Sequence, residues 1–228
     1  MIEAGELDSL LVAAGIAEEH RPALAHFGAR VLEANRRFNL TGAKTPAEFA
    51  PHIIDSLTVA RFVEGPLVDV GSGGGLPAIP LAIVTGAPVT MIETTVKKAR
   101  FLEEMLRELA LNGEVVAERA EVAAHDVRLR GAFRTGTARA VSSAPTVAEL
   151  VLPFIAPGGA ALLQRGSLDA RERHALEDAA HMLGARLERY VSMESVDDRS
   201  IAIVRKLEAT QNRFPRRTGI PEKRPLCM

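Results

Sequence analysis

The sequence of this chain predicts an α/β protein with a seven-stranded, Rossmann-like sheet, helices on both faces and an antiparallel hairpin at the C-terminal end. Predicted strands and helices alternate from residue 66 onward, which requires a parallel sheet. A glycine-rich loop, Gly71 to Gly75, follows the first predicted strand. Only a short polar stretch, Glu194 to Ser200, separates the last two strands. It is too short for a crossover helix, so these strands are expected to be antiparallel neighbours.

The chain has 228 residues, enough for one well-buried α/β domain and an appendage. We predict a helical cap over residues 1–62, the sheet domain over 63–207 and an extended basic tail over 208–228. In the cap, apolar residues recur at helical spacing and are interrupted by Gly and Pro.

Within the sheet domain, short apolar runs predict strands and longer amphipathic stretches predict helices. The strands are expected near residues 67–70, 88–92, 115–119, 137–141, 160–164, 187–193 and 201–206. The helices are expected near residues 78–84, 95–110, 145–155 and 169–184. The clearest helix begins at Thr95, carries inward apolar residues at helical spacing, and is stopped by Asn112-Gly113.

The loop after the first strand has the residue types of a nucleotide-binding turn. Glycines at 71, 73 and 75 remove the Cβ where a backbone turns sharply against a ligand. Ser72 lies between two of them, and Asp69 precedes the loop, where its carboxylate can bind amides or a ligand's cation. Glu93 ends the second strand 22 positions after Gly71, where such βαβ units present a carboxylate to ribose hydroxyls.

The glycine spacing favours one class of ligand over another. The dinucleotide pattern G-x-G-x-x-G requires a glycine at position 76, which is Leu76 here. A ligand with a ribose and no pyrophosphate, such as S-adenosyl-L-methionine (SAM), therefore fits better than NAD. Five parallel strands closed by an antiparallel hairpin are also the layout of SAM-dependent methyltransferases.

Composition excludes several classes of protein. The net charge of −1 means that any RNA surface must be a local patch. The N-terminus is acidic where a signal peptide would be basic, and no apolar run is long enough to span a bilayer. The single cysteine, Cys227, cannot form an internal disulfide. We therefore expect a cytoplasmic protein that does not bind membranes. We also expect a monomer that binds no metal, although nothing in the composition decides the oligomeric state.

Several ordered motifs resemble one bacterial family. They are Asn39-Leu40-Thr41, His52 to Leu57, Asp69 to Pro80, Lys97-Lys98, Arg119-Ala120-Glu121, Arg139-Ala140-Val141 and the tail from Pro215 to Leu226. Together they resemble the small-subunit ribosomal RNA guanine-N7 methyltransferases, the glucose-inhibited division protein B family. The resemblance implies SAM-dependent methylation of N7 of one guanine in the 530-loop of 16S rRNA, on the 30S subunit or its precursor, with S-adenosyl-L-homocysteine as product.

The resemblance also assigns residues to the cofactor site. It implies cofactor contacts at Gly71, Leu76, Ala120, Glu121 and Arg139, and the loop pattern and the acid after the second strand add Asp69, Ser72, Gly73, Gly75 and Glu93. Arg119-Ala120-Glu121 is expected to contact the adenine mainly through its backbone. Arg165 stands where the family usually has a lysine, which keeps the charge but changes the reach and geometry.

Guanine N7 carries an in-plane lone pair and no proton, so its methylation needs no general base and no metal. The enzyme must instead align N7 with the S–CH3 bond at roughly 3–3.5 Å. Donors to guanine O6 supply specificity, and arginine is the usual choice. We predict catalytic roles for Arg139, for Arg165, expected beside it after the fifth strand, and for His52.

RNA contacts are expected from polar and basic residues outside the pocket, namely Asn39, Lys97, Lys98, Arg216, Arg217, Lys223 and Arg224. Residues 213–225 hold five basic residues, one acid and three prolines, which excludes a helix or central strand and suits phosphate contacts. A strap packed across the domain is the alternative for this tail, and a solvated helix face is the alternative for the lysines.

Three other functions stay open at this point. A small-molecule SAM methyltransferase explains the loop and the hairpin but leaves the basic tail without a role. A non-catalytic rRNA-binding assembly factor explains the tail without the chemistry. An NAD enzyme is disfavoured by Leu76.

Overall fold

The computed structural model describes residues 2–139, 142–193 and 199–227. The strands in this part of the chain are β1 (Leu67–Val70), β2 (Val89–Ile92), β3 (Gly113–Val116), β4 (Phe133–Arg139), β5 (Ile155–Gly166), β6 (Ala185–Met193) and β7 (Arg199–Lys206). These seven described strands form one sheet in the order β3-β2-β1-β4-β5-β7-β6. β1 to β5 are parallel, whereas β7 runs antiparallel to both β5 and β6. The predicted fold class, including the C-terminal hairpin, is confirmed.

The helices surround this sheet. They are α1 (Ile2–Ala13), α2 (Arg21–Asn35), α3 (Pro46–Leu57), α4 (Ala78–Thr85), α5 (Val96–Glu108), α6 (Ala120–Ala123), α7 (Ala144–Val151), α8 (Ala170–Met182) and α9 (Ile220–Lys223). Side-chain caps explain where two of them begin. Thr45 accepts a hydrogen bond from the amide of Glu48, and Asp169 accepts one from the amide of Glu172, satisfying donors that the first turn leaves without partners.

Each face of the sheet carries its own apolar cluster, because successive strand residues point to opposite sides. Leu67 packs with α1 to α5 on one face, which we call the cap face. Val68 and Val70 pack on the opposite face with α7, α8 and the tail residues Phe214 and Leu226. The N-terminal helices therefore share a core with the strands. The division at residues 62 and 207 stays a prediction.

Several boundaries differ from the prediction. β3 ends at Val116 rather than at residue 119, and Arg119 is the residue before α6. β5 extends to both sides of the predicted 160–164 because Ile155 pairs with Phe133 of β4 and the pairing with β7 continues to Gly166. Ala140-Val141 and most of the Glu194–Ser200 stretch lie outside the described residues.

The prediction that the tail contains no helix is wrong. Residues 220–223 form α9, with Pro221 in its first turn, a position where proline costs no hydrogen bond. Phe214, Pro221 and Leu226 are buried, so the tail is packed against the domain.

No helix among the described residues is both long and apolar enough to cross a membrane.

Candidate active site

The glycine loop has a backbone that only glycine adopts easily. Gly71, Gly73 and Gly75 have φ values of 75°, 54° and 93°, in the left-handed region that favours glycine. A Cβ on Gly75 would lie 2.7 Å from Cδ1 of Ile79. The amides of Gly71 and Ser72 both donate to the carbonyl oxygen of Ile92, at 2.9 and 3.2 Å. The loop is thus tied to the end of the neighbouring strand.

Glu93 fixes the loop in place. Its side chain is 6% exposed, and its two carboxylate oxygens accept hydrogen bonds from the amides of Gly73 (2.9 Å) and Thr95 (2.7 Å). A carboxylate has about four acceptor positions, so these contacts leave room for a ribose hydroxyl. Glu93 therefore orders the glycine loop and the start of α5 while it borders the cleft described next.

A cleft of about 140 Å³ lies at the carboxyl ends of β1, β2 and β3, where the sequence predicts the cofactor site, and we call it the cofactor cleft. Its lining residues are Val70, Gly71, Ile92, Glu93, Thr94, Glu118, Arg119, Ala120, Glu121 and Leu150. Of the predicted cofactor contacts, Gly71, Glu93, Ala120 and Glu121 line this cleft. Leu76 instead packs against the cluster on the cap face.

Asp69 is a buried acid beside the loop. Its Oδ1 accepts a hydrogen bond of 2.7 Å from the hydroxyl of Thr137. Its Oδ2 is buried and has no hydrogen-bond partner among the described residues. Burial raises the pKa of this carboxyl from 3.8 to about 6, against the opposing effects of the Thr137 hydroxyl and the Arg139 charge. A buried acceptor of this kind fits the ammonium group of SAM, because an ionised carboxylate needs a cation or donors when it is removed from water.

Arg139 joins the end of β4 to α3. Its Nη1 donates to Asp55 Oδ2 (3.2 Å), to the carbonyl oxygen of His52 (3.2 Å) and to Ser56 Oγ (3.5 Å). The side chain is 14% exposed and that of Asp55 is 7% exposed. The structure therefore brings together His52 and Arg139, two of the three residues with predicted catalytic roles.

These groups share the cap face of the sheet. Asp69 is in register with Thr137 on the neighbouring strand, and Arg139 follows two residues later, so its side chain lies on the same side. Gln164, in register with Arg139, also points to this side and donates to the carbonyl oxygen of Asp55 at 2.7 Å. An acid, an arginine and helix α3 thus meet at one end of the sheet.

Arg165 lies on the opposite face, and the predicted position beside Arg139 is wrong. Residues 164 and 165 are consecutive in β5, so their side chains diverge. The guanidinium of Arg165 donates to Glu172 Oε1 (3.0 Å) and to the carbonyl oxygen of Ser142. Burial lowers the pKa of Arg165. We therefore assign Arg165 a structural role in joining β5 to α8.

Glu121 connects the cofactor cleft to the tail. Its side chain is 8% exposed, and its Oε1 accepts a hydrogen bond of 2.8 Å from the amide of Gly219. Gly219 has a φ of 77°. Glycine adopts this left-handed conformation at little cost in free energy, and the conformation points the amide toward α6. The carboxylate of Glu121 therefore has a partner of its own, beyond the backbone contacts that the sequence suggested.

The tail is anchored by an ion pair that the sequence did not reveal. Glu149, in α7, has a side chain that is 0% exposed. Its carboxylate accepts hydrogen bonds from the backbone amide, Nε and Nη2 of Arg216, at 2.6–3.1 Å. Arg216, for which an RNA contact was predicted, is held in this ion pair, while Arg217, Lys223 and Arg224 are exposed. The strap interpretation of the tail agrees with these contacts.

Asn35 is a second residue that sequence reasoning missed. Its Oδ1 accepts hydrogen bonds from the amides of Leu40 (2.8 Å) and Thr41 (3.1 Å), and its Nδ2 donates to the carbonyl oxygen of Ala43. A Cβ on Gly74 would lie 3.2 Å from the carbonyl oxygen of Leu40. Asn35 therefore shapes the loop that carries the exposed Asn39 and packs it on the glycine loop. The sequence did offer one indication of this role, because an asparagine at the end of a helix often binds the backbone of the turn that follows.

No group of three or more His, Cys, Asp and Glu side chains in the described part of the chain could hold a metal ion. The absence of a metal requirement stays a prediction.

Comparison with known proteins identifies the family. The GidB family, described as rRNA small subunit methyltransferase G, matches residues 20–202. The proteins named Ribosomal RNA small subunit methyltransferase G from Rubrobacter xylanophilus and Deinococcus deserti are 37% and 36% identical to this chain over 211 and 218 residues. These alignments cover 87% of this chain and 81% of the first relative, and 90% of this chain and 89% of the second.

A solved structure supports the fold independently. Geranyl diphosphate C-methyltransferase from Streptomyces coelicolor A3(2), in complex with Mg²⁺, geranyl diphosphate and S-adenosyl-L-homocysteine, has a TM-score of 0.55 and 14% identity. The match covers 71% of this chain and 82% of that chain. The family resemblance predicted from the ordered motifs is confirmed by the sequence comparisons. Because the family match spans most of its length and these two relatives share over a third of the aligned residues, the chain belongs to the GidB family of rRNA small subunit methyltransferases G.

Proposed function

We propose that this chain transfers a methyl group from SAM to N7 of one guanine in the 530-loop of 16S rRNA. The observation that carries the proposal is the placement of Asp69, the glycine loop and Arg139 at one end of the sheet, in a chain that belongs to an rRNA methyltransferase family. We further propose that it acts in the cytoplasm as a monomer on the 30S subunit or its precursor.

The residues present fit SAM. Asp69 would hold the ammonium group through its buried Oδ2, and Glu93 would accept hydrogen bonds from the ribose. Ala120 and Glu121, at the other side of the cleft, would border the adenine. When bound, SAM supplies a methyl group on a sulfonium sulfur, which is a good leaving group, so no residue has to activate the methyl donor.

The work of the protein is then positional. Arg139 would orient the target guanine by donating to O6, the usual arginine contact of that base. The backbone of α3 at His52 and the carboxylate of Asp55 set the position of the guanidinium. Precise placement matters because an error of about 1 Å can lower the rate roughly 10²-fold. The guanine must also leave its stack, which favours single-stranded or distorted RNA.

A transfer assay with labelled SAM tests the proposal and separates it from the alternatives. The acceptors are naked 16S rRNA, 30S subunits from cells that lack this protein, and a panel of small nucleosides and amines. We expect label in 16S rRNA, supplied either naked or in 30S subunits, and in none of the small acceptors. Label only in a small acceptor would support a small-molecule methyltransferase. SAM binding with rRNA binding but without transfer would support a non-catalytic assembly factor.

A further inference from the structure

A groove between α2 and α5 lies outside the cofactor cleft. Its volume is about 330 Å³. The lining residues come from the end of α2, the chain that follows it and the first half of α5: Arg30, Glu33, Ala34, Arg37, Phe38, Lys97, Arg100, Phe101 and Glu104. We call this the α2–α5 groove.

The charges in the α2–α5 groove are segregated. At one end, Arg30 pairs with Glu33 at 2.6 Å and lies 3.7 Å from Glu104. At the other end, Arg37, Lys97 and Arg100 are exposed. Backbone hydrogen bonds aside, no hydrogen bond or ion pair among the described residues is found for the side chain of any of the three. The groove therefore presents three uncompensated positive charges at one end.

An aromatic wall lies beside these charges. Phe38 is partly exposed, and its ring meets that of the buried Phe101 edge to face, with centroids 6.4 Å apart. A fixed ring that is partly exposed offers a surface on which a nucleic-acid base can stack. Cations next to a stacking surface are the combination that single-stranded RNA requires, whereas a free anion needs the cations alone.

The basic end of the groove is the end nearest the cofactor cleft. Lys97 lies in the first turn of α5, four residues after Glu93, which lines that cleft. Phe38 directly precedes the loop whose Leu40 packs on Gly74. An RNA strand in the groove would therefore continue toward the site where the target base is placed.

We propose that the α2–α5 groove binds the rRNA strand that flanks the target guanine, with phosphates at Arg37, Lys97 and Arg100 and one base against Phe38. This inference rests on the proposed function. It adds Arg37, Phe38 and Arg100 to the residues expected to contact RNA, and it assigns Lys97 to a phosphate of the flanking strand.

The test measures binding of full-length protein to naked 16S rRNA as a function of salt. In the double variant Arg37→Ala/Arg100→Ala, we expect affinity to fall about tenfold or more and the slope of log K against log salt to decrease by about 1.4, roughly 0.7 for each lost contact. Phe38→Leu should weaken binding roughly fivefold with an unchanged slope, because stacking neutralises no phosphate. Arg107→Ala, an exposed change in the last turn of α5 outside the groove, is the matched control and should bind like the unaltered protein.

SAM affinity by calorimetry and the thermal midpoint accompany each variant and should stay at the unaltered values. If the double variant keeps the rRNA affinity and the salt slope of the unaltered protein, the proposed RNA-binding role of the groove is refuted, while the proposed function is not affected. The same titration is run with 30S subunits. If the unaltered protein binds neither naked 16S rRNA nor 30S subunits, the proposed substrate is refuted, and the groove with it.

Discussion

The carboxylate of Glu121 accepts a hydrogen bond from the amide of Gly219, across 98 residues of sequence, while the same side chain borders the cofactor cleft. The tail is therefore attached to the wall of the cleft. Because α6 has only four residues, contacts from outside are needed to hold it in place. The position of this wall thus depends on the tail.

This relationship predicts different outcomes for two substitutions at Glu121. Glu121→Ala leaves the Gly219 amide without its acceptor and should lower the free energy of unfolding by about 1–3 kcal/mol. It should also weaken SAM binding. Glu121→Gln keeps an acceptor oxygen and should stay close to the unaltered protein in both properties. Urea unfolding and calorimetry measure them. Equal effects of the two variants would contradict the hydrogen bond as the cause.

The Glu149–Arg216 pair predicts a larger loss of stability. Glu149→Ala removes a fully buried carboxylate and leaves Arg216, which is 27% exposed, without its partner. We expect a loss of about 3 kcal/mol, at the lower end of the range for a broken buried pair. Arg217→Ala, at the exposed neighbouring position, is the control and should change the free energy of unfolding by less than about 0.5 kcal/mol. Urea unfolding of both variants provides the comparison. A loss below about 1 kcal/mol in Glu149→Ala would show that the pair does not anchor the tail.

The raised pKa of the Asp69 carboxyl predicts that the affinity for SAM depends on pH. The pKa of its carboxyl is about 6, so the side chain is mainly neutral at pH 5 and cannot attract an ammonium group as a carboxylate does. We expect SAM affinity to fall roughly tenfold between pH 7.5 and pH 5. Asp69→Asn should bind weakly at both values. Calorimetry at the two pH values checks this, and an unchanged affinity of the unaltered protein would contradict an ionised Asp69 in the complex.

The raised pKa of Asp69 also predicts how the free energy of unfolding changes with pH when no SAM is present. Between pH 3.8 and about 6 the folded state keeps the Asp69 proton that the unfolded state releases. Ionisation of this group therefore makes a contribution that lowers the free energy of unfolding as pH rises through this window. Relative to the unaltered protein, Asp69→Asn should gain up to about 3 kcal/mol from pH 4 to pH 7. A constant difference between the two proteins would contradict the raised pKa.

The proposed role of Arg139 predicts that substitutions there lower methyl transfer to rRNA without lowering SAM affinity. Arg139→Lys keeps a cation near Asp55 but loses the planar set of donors. We expect SAM affinity and thermal stability close to the unaltered values, with methyl transfer to rRNA reduced roughly 10²-fold or more. Arg139→Ala should abolish transfer while the fold remains intact. Near-native turnover in either variant would remove Arg139 from the proposed mechanism.

The sequence predicted those features that depend on local pattern. The glycine loop, its strand and the acid at Glu93 were found because the spacing of these residue types is specific. β3 was placed too late because its first residues, Gly113 and Glu114, are exposed and carry no apolar signal. The position of Arg165 was missed because the pairing register, not the distance along the chain, decides on which face a strand residue lies.

The tail was misjudged for a different physical reason. Its charges and prolines suggested an extended segment suited to phosphate contacts, with a packed strap as the alternative, but the partner that neutralises Arg216 is a buried glutamate 67 residues earlier. A long-range ion pair of this kind leaves no local pattern. Asn35 was overlooked because its three hydrogen bonds all go to backbone groups of a loop that the sequence did not resolve.

The most direct test of the central claim is to map N7-methylguanine in 16S rRNA from cells with and without this protein. Chemical cleavage at N7-methylated guanines, read by primer extension, locates each modified nucleotide. We predict one signal in the 530-loop that is lost without the protein and is restored by the unaltered gene, but not by Arg139→Ala. An rRNA that keeps the same N7-methylguanines in cells without the protein would contradict the proposed function.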